Sequence, residues 1–170
     1  MVPLLPVQIL LNNLLYDLSE IGIPLDNVDG DDLVRPRVWD MPAILRFTLV
    51  MGGLSSLFDF ATFAVLFYGF DAGADLFRTA WFIESMATQI LVIFVIRTWA
   101  HPWVSRPNRV LVATSLGGLC VALVIALTPL GHPFNFITVP PLLLLTIGII
   151  VLVYLSVAEA IKTCAQRALR

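Results

Sequence analysis

The sequence predicts an all-α membrane protein of five transmembrane helices, with its N-terminus outside and its C-terminus in the cytoplasm. Three observations predict this. The 170 residues are 59% hydrophobic and only 13% charged, where a soluble domain carries about a quarter charged residues. The apolar residues fall in long blocks of the length needed to span a bilayer, about 20 residues each. The basic residues cluster in alternate connections, as topology requires.

The first span runs from about residue 3 to 23 and contains the polar stretch "LLNNLLYDLSE". The second, about 43–70, is long enough to tilt or to extend beyond the hydrocarbon. The third, about 79–96, is short and carries Glu84 and Gln89. The fourth, about 110–130, and the fifth, about 139–158, are almost wholly apolar. Lipid offers backbone groups no partner, so such segments must be helices or closed barrels. The strict alternation of a barrel strand is missing, which leaves helices.

Five spans place the termini on opposite sides. Arg35, Arg37 and Arg46 lie in or beside the 24–42 loop, and Arg97, Arg106 and Arg109 lie in the 97–109 loop. Lys162, Arg167 and Arg170 lie in the tail, so nine of the ten Lys and Arg share one side and only Arg78 lies opposite. The positive-inside rule makes that side cytoplasmic. The first helix then starts outside, like the second half of a hairpin whose first half is absent. One domain is expected, since the only sizeable polar segment, "LDNVDGDDLVRPRVWDM", is too short to fold separately.

A net charge of −2 gives no reason to expect a nucleic-acid partner. Cys120 and Cys164 are far apart in apolar or terminal helical context and read as buried or idle thiols rather than a disulfide. The N-terminus lacks the basic region and cleavage site of a signal peptide. His101 and His132 stand beside prolines without a partner at metal-ligand spacing. Gly52-Gly53 and Gly117-Gly118 read as points of close helix approach.

The chemistry is concentrated in the first span. At 100° per residue, Asn13, Asp17 and Glu20 fall within an arc of about 60° on one helix face. Asn13 lies roughly 15 Å from the start of the span, near the bilayer midplane. An ionised Asp at a helix centre costs about 2.5–3.5 kcal/mol, unless a cation, a proton or another side chain neutralises it. Hard cations take oxygen ligands, and Mg²⁺ characteristically uses one or two carboxylates and keeps several waters. Asn13 and Asp17 are therefore the candidate cation ligands. The competing reading makes Asn12 and Asn13 interhelical hydrogen bonders, with Asp17 protonated.

Five further residues are either ligands or parts of a polar network: Asn12, Glu20, Asp59, Glu84 and Gln89. Glu20 lies close enough to the interface to reach water. Asp59, near the middle of the second span, reads first as a hydrogen-bond partner of a neighbouring helix and second as a ligand. Glu84, placed near the outer end of the third span, reads equally as snorkelling or ion-binding. Gln89 reads first as an interhelical hydrogen bonder. Nothing resembles a phosphate loop, a nucleophile elbow or a zinc motif. A passive channel or intramembrane enzyme finds little support, because the last two spans show no polar stripe and no nucleophile is paired with a base.

"LPVQILLNNLLYD" resembles the sixth transmembrane helix of P-type cation ATPases, where an Asn and an Asp four residues later contribute to the ion site. "RPRVWD" resembles the cytoplasmic loop that follows it. With "SSLFDFATF" and "WFIESMATQILVIFVIRT", the resemblance narrows to the magnesium-transporting branch. It is strong over residues 4–98 and rests mainly on hydropathy and position beyond. It implies helices six to ten of a ten-helix domain in a bacterial inner membrane. It also implies Asn13 and Asp17 as ligands of a transported Mg²⁺, with Glu84 and Gln89 at the polar positions of the eighth helix. Arg35, Arg37, Trp39 and Asp40 would lie in the loop that faces the phosphorylation domain.

The chain departs from the family in lacking the DKTG and TGES motifs, so ATP could act only through domains it does not contain. Asp17 is followed by Leu18, where the calcium-pump helix has Gly, which gives less reason to expect local unwinding. The expectation is the C-terminal membrane half of a magnesium pump, truncated or split, with no ATPase activity alone. Its partners would be the lipid bilayer and the missing N-terminal part of the pump. The alternative is a small standalone membrane protein that binds or modulates a full-length pump.

Overall fold

The computed structural model describes residues 4–27, 41–98 and 106–168. Five α-helices follow one another: α1 (Pro6–Glu20), α2 (Met41–Ala64), α3 (Ala74–Ile96), α4 (Arg109–Leu127) and α5 (Pro141–Ala168). Short 3₁₀ turns occupy Ile23–Leu25 and Pro129–Phe134, and Val65–Gly69 continues α2 as one widened π turn. The described residues form no strand. Four segments are long and apolar enough to cross a membrane: Ile44–Gly69, Ala74–Ile96, Arg109–Leu127 and Pro141–Cys164.

α1 is shorter than its hydropathy predicts. Pro6 begins it, where a missing N–H costs nothing, and the Leu5 N–H donates to Gln8 Oε1 at 2.9 Å. Pro24 disfavours helix at Ile23, and the chain leaves α1 through Gly22. Fifteen residues rise about 22 Å, less than the hydrocarbon thickness of about 30 Å.

α3 starts earlier and α5 runs further than expected. Gly73 caps α3, and Asp75 sits in its first turn, where a carboxylate meets the positive end of the helix dipole. Arg78 reaches back to Asp75 at 3.0 Å. The start at Ala74 puts Glu84 ten residues inside the helix, so it does not snorkel; it is 1% exposed. In α5 the inward face continues past Tyr154 through Ala158 to Lys162, all buried. Lys162 donates to the Val95 carbonyl at 2.9 Å and pairs with Glu159 at 2.6 Å.

α3 is the centre of the bundle and packs against the other four helices. Its Phe82, Met86 and Ile90 are fully buried among Leu11 and Leu15 of α1, Ala122 and Ala126 of α4, and Leu143 and Ile147 of α5. Phe63 of α2 meets Phe77 and Trp81 of α3, with ring centroids 5.1 and 5.0 Å apart. Lipid tails are as apolar as these side chains, so close packing and hydrogen bonds hold the helices together.

Close approach is made by glycines other than most of those expected. A Cβ on Gly22 would lie 2.5 Å from the Leu111 Cα, and one on Gly118 would lie 3.2 Å from the Ser19 Cβ. Gly52, Gly53 and Gly117 have nothing within 4 Å of a Cβ. They face outward and meet no other helix among the described residues. Cys120 and Cys164 are free, as expected, but both are exposed rather than buried.

The bundle is tied at both ends. At one, Gln8 Nε2 donates to the Phe134 carbonyl at 2.8 Å, and the Ile137 N–H donates to Thr79 Oγ1 at 3.1 Å. At the other, Asp26 joins the end of α1 to the end of α3 and the start of α4. Arg97 Nε donates to Asp26 Oδ2 at 2.6 Å, and the Asn108 N–H donates to Oδ1 at 2.8 Å. Asn108 also caps α4 by accepting from the Val110 N–H at 2.9 Å.

Candidate functional site

The polar residues of α1 divide between two faces. Gln8, Asn12 and Ser19 are buried against the rest of the bundle. Asn13 and Asp17 are exposed on its outer side, and Glu20 is half-buried. The helix is unbroken through both candidate ligands, and Asn13 is its central residue. The outward face thus presents one amide and one carboxylate, one turn apart, at mid-helix. Among the described residues, no group of three or more His, Cys, Asp and Glu is placed to hold a metal ion. Alone, α1 supplies only part of a coordination sphere.

A second polar feature lies inside the bundle. Residues of α1, α2, α3 and α5 line a partly open cavity of about 290 Å³, with Asp59, Glu84 and Gln89 in its wall. Ser55, Tyr154 and Ser85 add hydroxyls to its wall. Hydrogen bonds engage most of these groups. Trp81 Nε1–H donates to Asp59 Oδ1 at 2.9 Å, and the Ser55 and Tyr154 hydroxyls bond each other at 2.9 Å. Gln89 Nε2 donates to Ser85 Oγ at 2.9 Å, while its Oε1 accepts from Asn12 Nδ2 at 3.3 Å. Thr88 Oγ1 donates to the Glu84 and Ser85 carbonyls. Glu84 Oε2 is buried and has no hydrogen-bond partner, and neither has Asn12 Oδ1.

The geometry therefore separates the sequence candidates into two sets. Asn13 and Asp17 share the outer face of α1, with Glu20 at its end. Asp59, Glu84 and Gln89 share the cavity, and Asn12 links the two through Gln89. Arg35, Arg37, Trp39 and Asp40 lie outside the described residues. Sequence reading misses Ser55, Ser85, Thr88 and Tyr154. Spacing offers a signal for three of them, because Ser55 stands four residues before Asp59, and Ser85 four before Gln89, with Thr88 on the same face. Tyr154 gives α5 a polar contribution that its hydropathy hides.

Asp26, at the end of the bundle where α1 leaves, forms a largely buried ion pair with Arg97 at 2.6 Å. Burial alone raises its carboxyl, but the Arg97 guanidinium and the N–H groups of Asn108 and Asn27 outweigh that effect. They hold it below the usual carboxylate value.

Fold and sites together define a multi-pass all-α membrane protein with ionisable residues at mid-span, a pattern of ion-handling proteins. Comparison with known proteins specifies the class. Residues 1–164 match the family described as "Cation transporting ATPase, C-terminus". The chain is 37% identical over 134 residues to the "Magnesium-transporting ATPase, P-type 1" of Salmonella typhimurium strain LT2, covering 76% of this chain and 15% of the relative. It is 34% identical over 143 residues to a protein of the same name from strain 14028s, covering 81% and 16%. With that of Escherichia coli K12 it shares 37% identity over 106 residues, covering 60% and 12%.

The chain belongs to the cation-transporting ATPase C-terminal family. It is a membrane part of such a pump, and it spans about 15% of the length of the curated relatives it matches.

Proposed function

We propose that the chain is the C-terminal membrane half of a P-type ATPase that moves Mg²⁺ into the cytoplasm of a bacterium across its inner membrane. Asn13 and Asp17 supply one wall of the ion site. The remaining walls come from the N-terminal part of the pump, which packs on the exposed face of α1, and ATP acts only through that part. The connections that follow α1 and α3 lie in the cytoplasm, a side supported by their arginines.

One observation carries this reading: an amide and a carboxylate at the middle of α1 face away from the bundle, in a chain whose relatives are named as magnesium transporters. An exposed carboxylate at mid-helix is costly against lipid. Against other helices and a partly hydrated divalent cation it is a ligand.

Two experiments test it. In the intact pump, Asp17→Asn is expected to abolish Mg²⁺-stimulated ATP hydrolysis while leaving membrane insertion unchanged. Retained Mg²⁺ dependence overturns the ligand assignment. An immunoblot of native membranes with an antibody to "AEAIKTC" is expected to give a band several times larger than 18.8 kDa. A band at 18.8 kDa with none larger would turn the reading to a standalone modulator or split subunit.

A further inference from the structure

The helix that bears the candidate ligands is gripped from behind by a helix that carries no carboxylate. α1 packs most extensively on α4, and α4 contains neither Asp nor Glu. Their contact is polar at one level. Ser19 and Ser115 are both fully buried, and the Ser19 carbonyl accepts the Ser115 hydroxyl at 3.2 Å. The Thr114 hydroxyl reaches the same carbonyl at 3.1 Å but shares its proton with the Leu111 carbonyl at 3.2 Å. Ser115 is therefore the dedicated donor. Space is tight on either side of it. A Cβ on Gly118 would lie 3.4 Å from the Leu15 carbonyl oxygen, and one on Gly22 would lie 2.5 Å from the Leu111 Cα.

Ser19 belongs to the last turn of α1, where carbonyls have no partner within the helix. Asp17 precedes it by two residues, which is about 3 Å along the axis and about 160° around it. Ser19 thus faces α4, while Asp17 is exposed on the opposite side. Whatever fixes the inner edge of this turn also fixes where the Asp17 carboxylate points. Lipid does not supply that force, because helix association there depends on packing and hydrogen bonds. The Asn12–Gln89 bond at 3.3 Å anchors the preceding turn to α3, and the turn of Asp17 is hydrogen-bonded to α4.

We propose that Ser115, assisted by Thr114, is a positioning residue of the cation site and aims the Asp17 carboxylate outward. This rests on the reading of Asp17 as a Mg²⁺ ligand. Without the donor, the last turn of α1 rotates among several orientations, and Mg²⁺ meets a competent site for only part of the time. Apparent affinity falls by that fraction, with no ligand removed.

Equilibrium binding of Mg²⁺ alone to the intact pump, by titration calorimetry without nucleotide, tests this. Asp17→Asn identifies the component of binding that belongs to the site. Ser115→Ala is expected to weaken that component about fivefold, the worth of one hydrogen bond. Thr114→Val is expected to weaken it less, and the double variant more than either. Thr146→Val, which removes a hydroxyl bonded to its own helix at Leu142, should leave it unchanged. If Ser115→Ala does not fold, Thr114→Val carries the test, since it keeps the Ser115 bond. The proposal is overturned if the folded variants lose melting temperature yet bind at wild-type affinity, which is the mark of a purely structural bond. It is also overturned if Thr146→Val weakens binding equally. In both cases Asp17 stands as a ligand. If Asp17→Asn removes no component of binding, the ligand assignment itself fails and the proposal falls with it.

Discussion

Asn12 and Gln89 join the two polar regions of the bundle: the Asn12 Nδ2 donates to Gln89 Oε1 at 3.3 Å. Asn12 is the neighbour of the candidate ligand Asn13 on α1, and Gln89 borders the cavity on α3. Interhelical bonds of this kind contribute about 0.6 kcal/mol on average in a membrane protein, and up to about 1.7. Gln89→Leu strands the Asn12 amide and is expected to destabilise the bundle by about 1 kcal/mol, measured by detergent-titrated unfolding. Adding Asn12→Leu should restore part of that loss, because both ends of the bond are then gone. A double variant as weak as the sum of the singles would show that the pair is not coupled.

Trp81 holds Asp59 by its indole N–H and packs its ring on Phe63. Trp81→Phe keeps a ring and removes the donor, so its cost reports the hydrogen bond. The expected loss is about 1 kcal/mol, the net worth of a hydrogen bond to a half-buried acceptor. Asp59→Asn keeps an oxygen for Trp81 and should lower folding yield less than Asp59→Leu. Equal yields of the two variants would remove the bond from the account.

The Asp26–Arg97 pair makes the fold acid-sensitive. Asp26 titrates below its unfolded value, so its contribution is fully present above the ordinary aspartate value of about 3.9. It is lost as pH falls through the lower folded value. Helical circular dichroism in micelles should therefore show a drop in melting temperature below about pH 4. The drop should be smaller in Asp26→Asn, which begins less stable at neutral pH by roughly 2 kcal/mol.

Glycine substitutions should separate contact from spacing. Gly22→Ala places a methyl against the Leu111 backbone and Gly118→Ala places one against Ser19. Overpacking of this kind costs about 1–3 kcal/mol, and Gly22, which meets backbone, should cost more. Gly52→Ala and Gly53→Ala meet nothing and should stabilise α2, by up to about 1 kcal/mol each from helix propensity. Thermal unfolding of the four variants compares them directly.

Hydropathy locates α2 to α5 because a bilayer span leaves a long apolar signature, but it misplaces their ends. Pro6 and Pro24 shorten α1, while the first turn of α3 and the last turns of α5 are too polar to register as a span. The face of Asn13 and Asp17 is legible because both lie on one helix, where angle follows from number. The cavity is not legible, because it is assembled across four helices. Composition marks Asp59 and Glu84 as costly but cannot say that they meet one space, nor that Tyr154 closes it. The glycine pairs mislead for the same reason: contact depends on which side of a helix another helix occupies.

Ser19 carries the last consequence. Its carbonyl accepts the hydroxyls of both Thr114 and Ser115, at 3.1 and 3.2 Å, just where Gly22 and Gly118 bring α1 and α4 into contact. A shift of α1 that left α4 behind would break both hydrogen bonds to the buried Ser19. α1 and α4 are thus coupled along their contact, and the Asp26 bonds to Arg97 and Asn108 tie the same end of α1 to α3 and α4.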